Sequence, residues 1–180
     1  MFSSCDNFTS DLSSWDVSNV IDMTQMFSSC DNFTSDLSSW DVSNVITMLG
    51  MFQAAEIFSS NLSSWDVSNV NNMSSMFRNS LNFSSDLSSW DISNVTNMSN
   101  MFDDANLSTE NQCAIQTSFS TNPYWPYEWE CPSLQVGDLA EGGIVFYVDE
   151  TGQHGLVAAM EDIEGGYEWG CYQQEVNGAD

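Results

Sequence analysis

Apolar residues recur at fixed places along the first hundred positions of this chain. One set is Met26, Phe27, Cys30, Phe33, Leu37, Trp40, Val42, Val45 and Met48. Twenty-five residues later the same set reads Met51, Phe52, Ala55, Phe58, Leu62, Trp65, Val67, Val70 and Met73, with Ser, Asn, Asp and Thr between. Met-Phe pairs at 1–2, 26–27, 51–52, 76–77 and 101–102 keep the step, and Ser-Ser-Trp-Asp places Trp15, Trp40, Trp65 and Trp90 in register. A fixed period of this size marks a repeat architecture. One coil of 25 residues is open on two faces, so it buries its apolar side chains only by stacking on neighbours.

Within a coil, the spacing of Met23, Met26, Phe27 and Cys30 predicts a short helical turn. Leu-Ser-Ser-Trp-Asp-Val lacks that spacing and predicts a brief strand, paired in parallel with its neighbours. Asp-Val-Ser-Asn-Val carries turn chemistry, because Asp and Asn side chains bond nearby backbone N–H groups. The expected fold is an α/β repeat solenoid: leucine-rich-repeat-like coils with short parallel strands and short helical turns, about four repeats over residues 1–102.

The period fails after Phe102. Ser108 and Asn111 form an imperfect capping box before a helical stretch, and four aromatics among prolines follow at Tyr124, Trp125, Tyr127 and Trp129. Residues 103–132 are expected to cap the stack; a carbohydrate platform is the alternative for so many aromatics. Residues 133–180 read as the start of a truncated β-rich domain. There residues 144–148 and 155–159 would pair as a hairpin around a turn at 149–154.

The formal charge is −25, from 26 Asp plus Glu against Arg78 alone, with His154 the one histidine. An apolar content of 42% separates the chain from disordered acidic tails. Nothing here can neutralise phosphates, which excludes nucleic acid as a partner, and an anionic membrane surface would repel the chain. No stretch is apolar enough for direct insertion into a membrane. The start shows no export signal. Met1 is the repeat's own Met, so the chain is expected to be a fragment that opens in mid-pattern. His154 lies in Gly-Gln-His-Gly with no nucleophile or carboxylate in a triad-like arrangement, so it is read as a turn residue.

The string Leu-Ser-Ser-Trp-Asp-Val-Ser-Asn-Val-x-x-Met-x-x-Met-Phe-x-x-Cys/Ala-x-x-Phe resembles the repeat of BspA-like leucine-rich-repeat surface proteins. The resemblance covers residues 1 to about 107. It implies an extracellular or cell-surface location and a role in adhesion or protein binding. Gly142-Gly-Ile-Val-Phe-Tyr-Val, Gly155-Leu-Val-Ala-Ala and Trp169-Gly-Cys171 are similar to the C-terminal domain of Legionella collagen-like adhesins. In an exported protein, Cys113 and Cys131 would form a disulfide closing the cap. Cys5 and Cys30 share a ladder position with Ala55, Ser80 and Ala105, a small buried site where free thiols are expected.

Two columns invite functional readings. Asp16, Asp41, Asp66 and Asp91 stand about one coil apart, ~5 Å by analogy with strand spacing. At that distance unit charges repel by ~0.8 kcal/mol in water and ~3 kcal/mol at an effective dielectric of 20. Either each Asp is held by backbone N–H groups in its own turn, or calcium sits between coils; no other cofactor is implied. The Trp15, Trp40, Trp65 and Trp90 ladder is either a structural column or a groove suited to sugars. The sequence expectation is a non-enzymatic interaction or adhesion scaffold that binds a protein partner. The alternative is a glycan-binding surface module that depends on calcium.

Overall fold

The computed structural model describes residues 2–133, 136, 139–140, 143–148, 154–159 and 175–177. It divides into two units, Met1–Trp129 and Glu130–Asp180.

In the first unit the apolar positions are the ends of tight turns. Met26 N–H donates to Met23 O, Cys30 to Phe27, Phe33 to Cys30, Trp40 to Leu37 and Val45 to Val42, each three residues back. The next coils repeat this at Met51, Ala55, Phe58, Trp65 and Val70, then at Met76, Ser80, Phe83, Trp90 and Val95. Each turn sends its first and last residues inward and leaves two polar residues, such as Ser38-Ser39 or Ser43-Asn44, at the corner. The third residue of two turns per coil has positive φ: Gln25, Gly50, Ser75 and Asn100 in one column, Ser29, Ala54, Asn79 and Asp104 in the other. Type II turns require that conformation there. Glycine meets it without strain only at Gly50.

The coils stack at a constant offset. Met23, Gln25, Phe27 and Ser29 donate to the carbonyls of Thr47, Leu49, Met51 and Gln53, and Ile46 donates back to Ile21, at 2.7–3.0 Å. The same bonds join the following coils through Met48, Gly50, Phe52 and Ala54, and then Met73, Ser75, Phe77 and Asn79. On the far side of the coil, side chains replace backbone. Ser35 Oγ accepts from Leu12 N (2.8 Å), Ser60 from Leu37 N (2.9 Å) and Ser85 from Leu62 N (3.1 Å). The indole N–H of Trp40, Trp65 and Trp90 donates to Leu12, Leu37 and Leu62 O, each at 3.0 Å.

These bonds overturn the expected α/β solenoid of strands and helical turns. The described repeats contain turns and three isolated parallel bridges (Asp22 to Thr47, Thr47 to Asn72, Asn72 to Asn97), with no strand and no helix. The Leu-Ser-Ser-Trp-Asp-Val stretch expected as a strand is a turn joined to its neighbours through side chains. The stretch expected as a helical turn carries the backbone bonds between coils. Side chains of Ser, Asp and Asn offer the backbone local partners that compete with a regular ladder.

Two columns of phenylalanine fill the interior. Phe2, Phe27, Phe52, Phe77 and Phe102 stack with ring centroids 5.7–5.8 Å apart. Phe8, Phe33, Phe58 and Phe83 run beside them at 5.7–6.3 Å. Such pairs contribute roughly 0.5–1.5 kcal/mol each beyond the burial of their area.

The helix α1, Thr109–Phe119, follows the last coil; its N-cap Ser108 accepts from Asn111 N at 3.1 Å. It buries Cys113, Ile115 and Phe119. Trp125, Tyr127 and Trp129 lie over Phe102 at centroid distances of 6.2, 6.2 and 5.8 Å. The aromatics that suggested a carbohydrate platform thus cover the end of the phenylalanine column, with Tyr124 exposed.

In the second unit, β1 (Leu139–Ala140), β2 (Gly143–Val148), β3 (His154–Ala159) and β4 (Glu175–Asn177) form an antiparallel sheet in the order β1-β2-β3-β4. His154 opens β3 opposite Asn177, not a turn. The rest of the expected turn, residues 149–153, and both Trp169 and Cys171 lie outside the described residues.

Candidate functional site

The acidic column faces outward. Asp16 Oδ1 accepts from the Ser18 N–H (3.0 Å) and hydroxyl (2.6 Å). Asp41 does the same with Ser43 (3.1 and 2.6 Å), and Asp66 with Ser68 (3.1 and 2.6 Å). Asp91 accepts from Ser93 N at 3.0 Å. Bonds from the serine hydroxyl and N–H hold Asp16, Asp41 and Asp66 below the usual carboxylate range, and for Asp91 the Ser93 N–H is the larger cause. Neighbouring column members push the other way: Asp66 and Asp16 against Asp41, Asp91 against Asp66. Each carboxylate is thus committed to its own turn. Among the described residues, no group of three or more His, Cys, Asp or Glu could hold a metal ion.

A second acidic column stands at Asp11, Asp36, Asn61 and Asp86. Each caps the N–H two residues on, and the first three also accept from Ser35, Ser60 and Ser85. Asn61 makes the same contacts as its charged equivalents, so the turn needs the side-chain oxygen and not the charge. The asparagines Asn44, Asn69 and Asn94 donate to Ser18, Ser43 and Ser68 O in the preceding coil at 2.7–2.8 Å. The sequence reading missed these serines and asparagines as intercoil fasteners. Their recurrence every 25 residues was the available signal.

The Trp column is interior. Trp40, Trp65 and Trp90 are each 4% exposed, whereas Trp15 is 47% exposed. Trp65 and Trp90 stack at 6.5 Å with an interplanar angle of 2°. With their N–H groups bonded to carbonyls, the three buried indoles are not available to line a sugar groove.

One concavity occurs where the repeats meet the cap. It is lined by Trp90, Asp91, Ile92, Ser93, Ser118, Thr121, Asn122 and Pro123 and encloses about 310 Å³. Asn122 anchors its floor, donating from Nδ2 to Ile92 O (2.7 Å) and Val95 O (3.0 Å). Ser118 Oγ donates to Ser88 O at 2.5 Å. Asp91 is the acidic side chain of this groove, whose rim is otherwise hydroxyl and amide.

Tyr127 closes the last coil: its hydroxyl accepts from Phe102 N (2.8 Å) and donates to Asp103 (2.9 Å). Burial pushes its phenol well above the ordinary range. Cys113 and Cys131 are disulfide-bonded, and Cys5 and Cys30 are free thiols. No helix among the described residues is long and apolar enough to cross a membrane.

Interior ladders, a polar outer surface and a separate terminal cap define a repeat protein built from stacked 25-residue coils. Residues 1–115 match DUF285, described as a Mycoplasma protein of unknown function, and the chain belongs to that family. The family is associated with BspA-like surface repeat proteins. No curated protein and no solved structure matches the chain.

Proposed function

We propose that this chain is part of a BspA-like surface protein and acts as a non-enzymatic interaction scaffold, binding a protein partner outside the cell. The observation that carries the reading is the division of labour within each coil. Every large repeated apolar column turns inward, while the repeated Asp, Ser and Asn corners face solvent along the stack. Such an arrangement favours presentation of an extended surface. A chain with a charge of −25 favours a basic patch on its partner and disfavours polyanions. The similarity of residues 142–171 to the C-terminal domain of collagen-like adhesins adds a second recognition module to the proposal.

The groove between Trp90 and Asn122 favours one other reading, a glycan-binding module, because hydroxyl, amide and carboxylate groups converge there. An array of matrix proteins and glycans, run with and without chelator, tests both. Binding to basic proteins that weakens with salt and ignores chelator supports the scaffold. Glycan binding lost on Asp91→Ala supports the groove. Selective binding to nucleic acid or anionic lipid contradicts both.

A further inference from the structure

Cys5 and Cys30 occupy the same position in adjacent coils, and the described coils pack them against each other. Flanking columns give the separation: Phe2 and Phe27 lie 5.8 Å apart by ring centroid, and Phe8 and Phe33 also 5.8 Å. Those pairs sit three residues to either side of the two cysteines. Backbone bonds Phe2 N to Met26 O (2.9 Å) and Ser4 N to Ser28 O (2.8 Å) hold the coils together beside them. A disulfide requires Cα atoms about 4.4–6.8 Å apart, and one coil step falls within that range.

The direction of the side chains is also suitable. Cys30 Sγ points back to the first coil, 2.9 Å from Phe2 O. Ser80, in the same column, points the same way, donating to Phe52 O at 2.6 Å. The backbone of Cys5 lies against the Cys30 sulfur, and burial is the main influence on that thiol, pushing it up. Cys30 is fully buried, whereas Cys5 is partly open to solvent. The first coil is the less buried of the two, with Phe2, Cys5, Phe8 and Val20 only partly covered, so it can close by the small amount an S–S bond needs.

We infer that Cys5 and Cys30 are a dithiol pair that a small-molecule disulfide oxidises to an intramolecular bond, clamping the first coil to the second. The accessible Cys5 reacts first. Its thiolate attacks one sulfur of oxidised glutathione; that S–S bond breaks and one glutathione thiolate leaves. Cys30 then gives up its proton and attacks the Cys5 sulfur of the mixed disulfide, expelling the second glutathione thiolate. The chain loses two protons and two electrons, and oxidised glutathione becomes two thiols. Cys113 and Cys131 are already disulfide-bonded and do not compete.

The test is incubation of the full chain in glutathione buffers of rising oxidised fraction, followed by alkylation, cleavage at Asp and mass mapping without reduction. The expected result is a peptide linking Cys5 to Cys30, with alkylation of the two falling together. Cys30→Ala, which installs the residue found at Ala55 and Ala105, should fold and trap glutathione on Cys5. Three results would overturn the inference: stable glutathione on Cys5 of the unsubstituted chain with Cys30 still alkylated, a Cys5–Cys5 dimer, or two thiols that stay reduced throughout.

Discussion

Identical residues of the repeat do unequal work, and the difference lies in what each one meets. Trp65 is buried and its N–H serves Leu37 O, so Trp65→Phe leaves a buried carbonyl without its donor. A loss of about 1–3 kcal/mol in urea unfolding is expected. Trp15 is half exposed, and Trp15→Phe should stay within about 0.5 kcal/mol of the parent. Equal effects at both sites would contradict the assignment of the indole bond. The aspartates behave differently again. Their folded-state carboxyls lie below the ordinary value of 3.8, so the stability they supply is complete above that value and is lost as pH falls through the folded value. Asp41→Asn keeps the oxygen acceptor, as Asn61 does in the neighbouring column. It should fold normally at neutral pH and lose less stability on acidification, read as a flatter melting temperature between about pH 5 and pH 2. Steeper acid loss in the variant would contradict this.

At the scale of elements, the register of the repeat was legible in the sequence and its local structure was not. Phe27, Phe52 and Phe77 are columns because a constant period stacks equivalent positions, whatever shape the coil takes. Met23, Met26 and Cys30 were read as one helical face, yet the same three- and four-residue steps arise from consecutive turns with apolar ends. The discriminating signal was the Ser-Ser and Ser-Asn corners, which suit turns and weaken helices. The acidic columns were legible as turn residues, and calcium was the reading that geometry did not assemble. The groove beside Asp91 was not legible, since it depends on Asn122 reaching back to Ile92 and Val95 across a distance no local pattern encodes. Asn122 replaces, at the cap, the bonds that Asn44, Asn69 and Asn94 make between coils. Asn122→Ala should therefore cost about 1–3 kcal/mol, with faster amide exchange in the last coil and unchanged exchange around Phe52. Uniform acceleration throughout the repeats would indicate that the cap and coils unfold as one unit.

At the scale of the whole molecule, charge opposes compaction and the ladders overcome it. Twenty-six acidic groups face a single Arg. Salt should therefore stabilise the fold by screening repulsion: the melting temperature should rise from low ionic strength to about 0.15 M. A fall over that range would point to attractive pairs outweighing the repulsion. The bonding between coils makes the sharpest claim, because backbone joins one side of the stack and side chains join the other. Scalar couplings transmitted through hydrogen bonds in isotope-labelled protein read this directly. The structure predicts couplings from Phe27 N to the Met51 carbonyl, from Gln25 N to Leu49, and from the Trp65 indole nitrogen to Leu37. A continuous set of backbone couplings pairing residues 37–42 with 62–67 would instead establish parallel strands there and contradict the account.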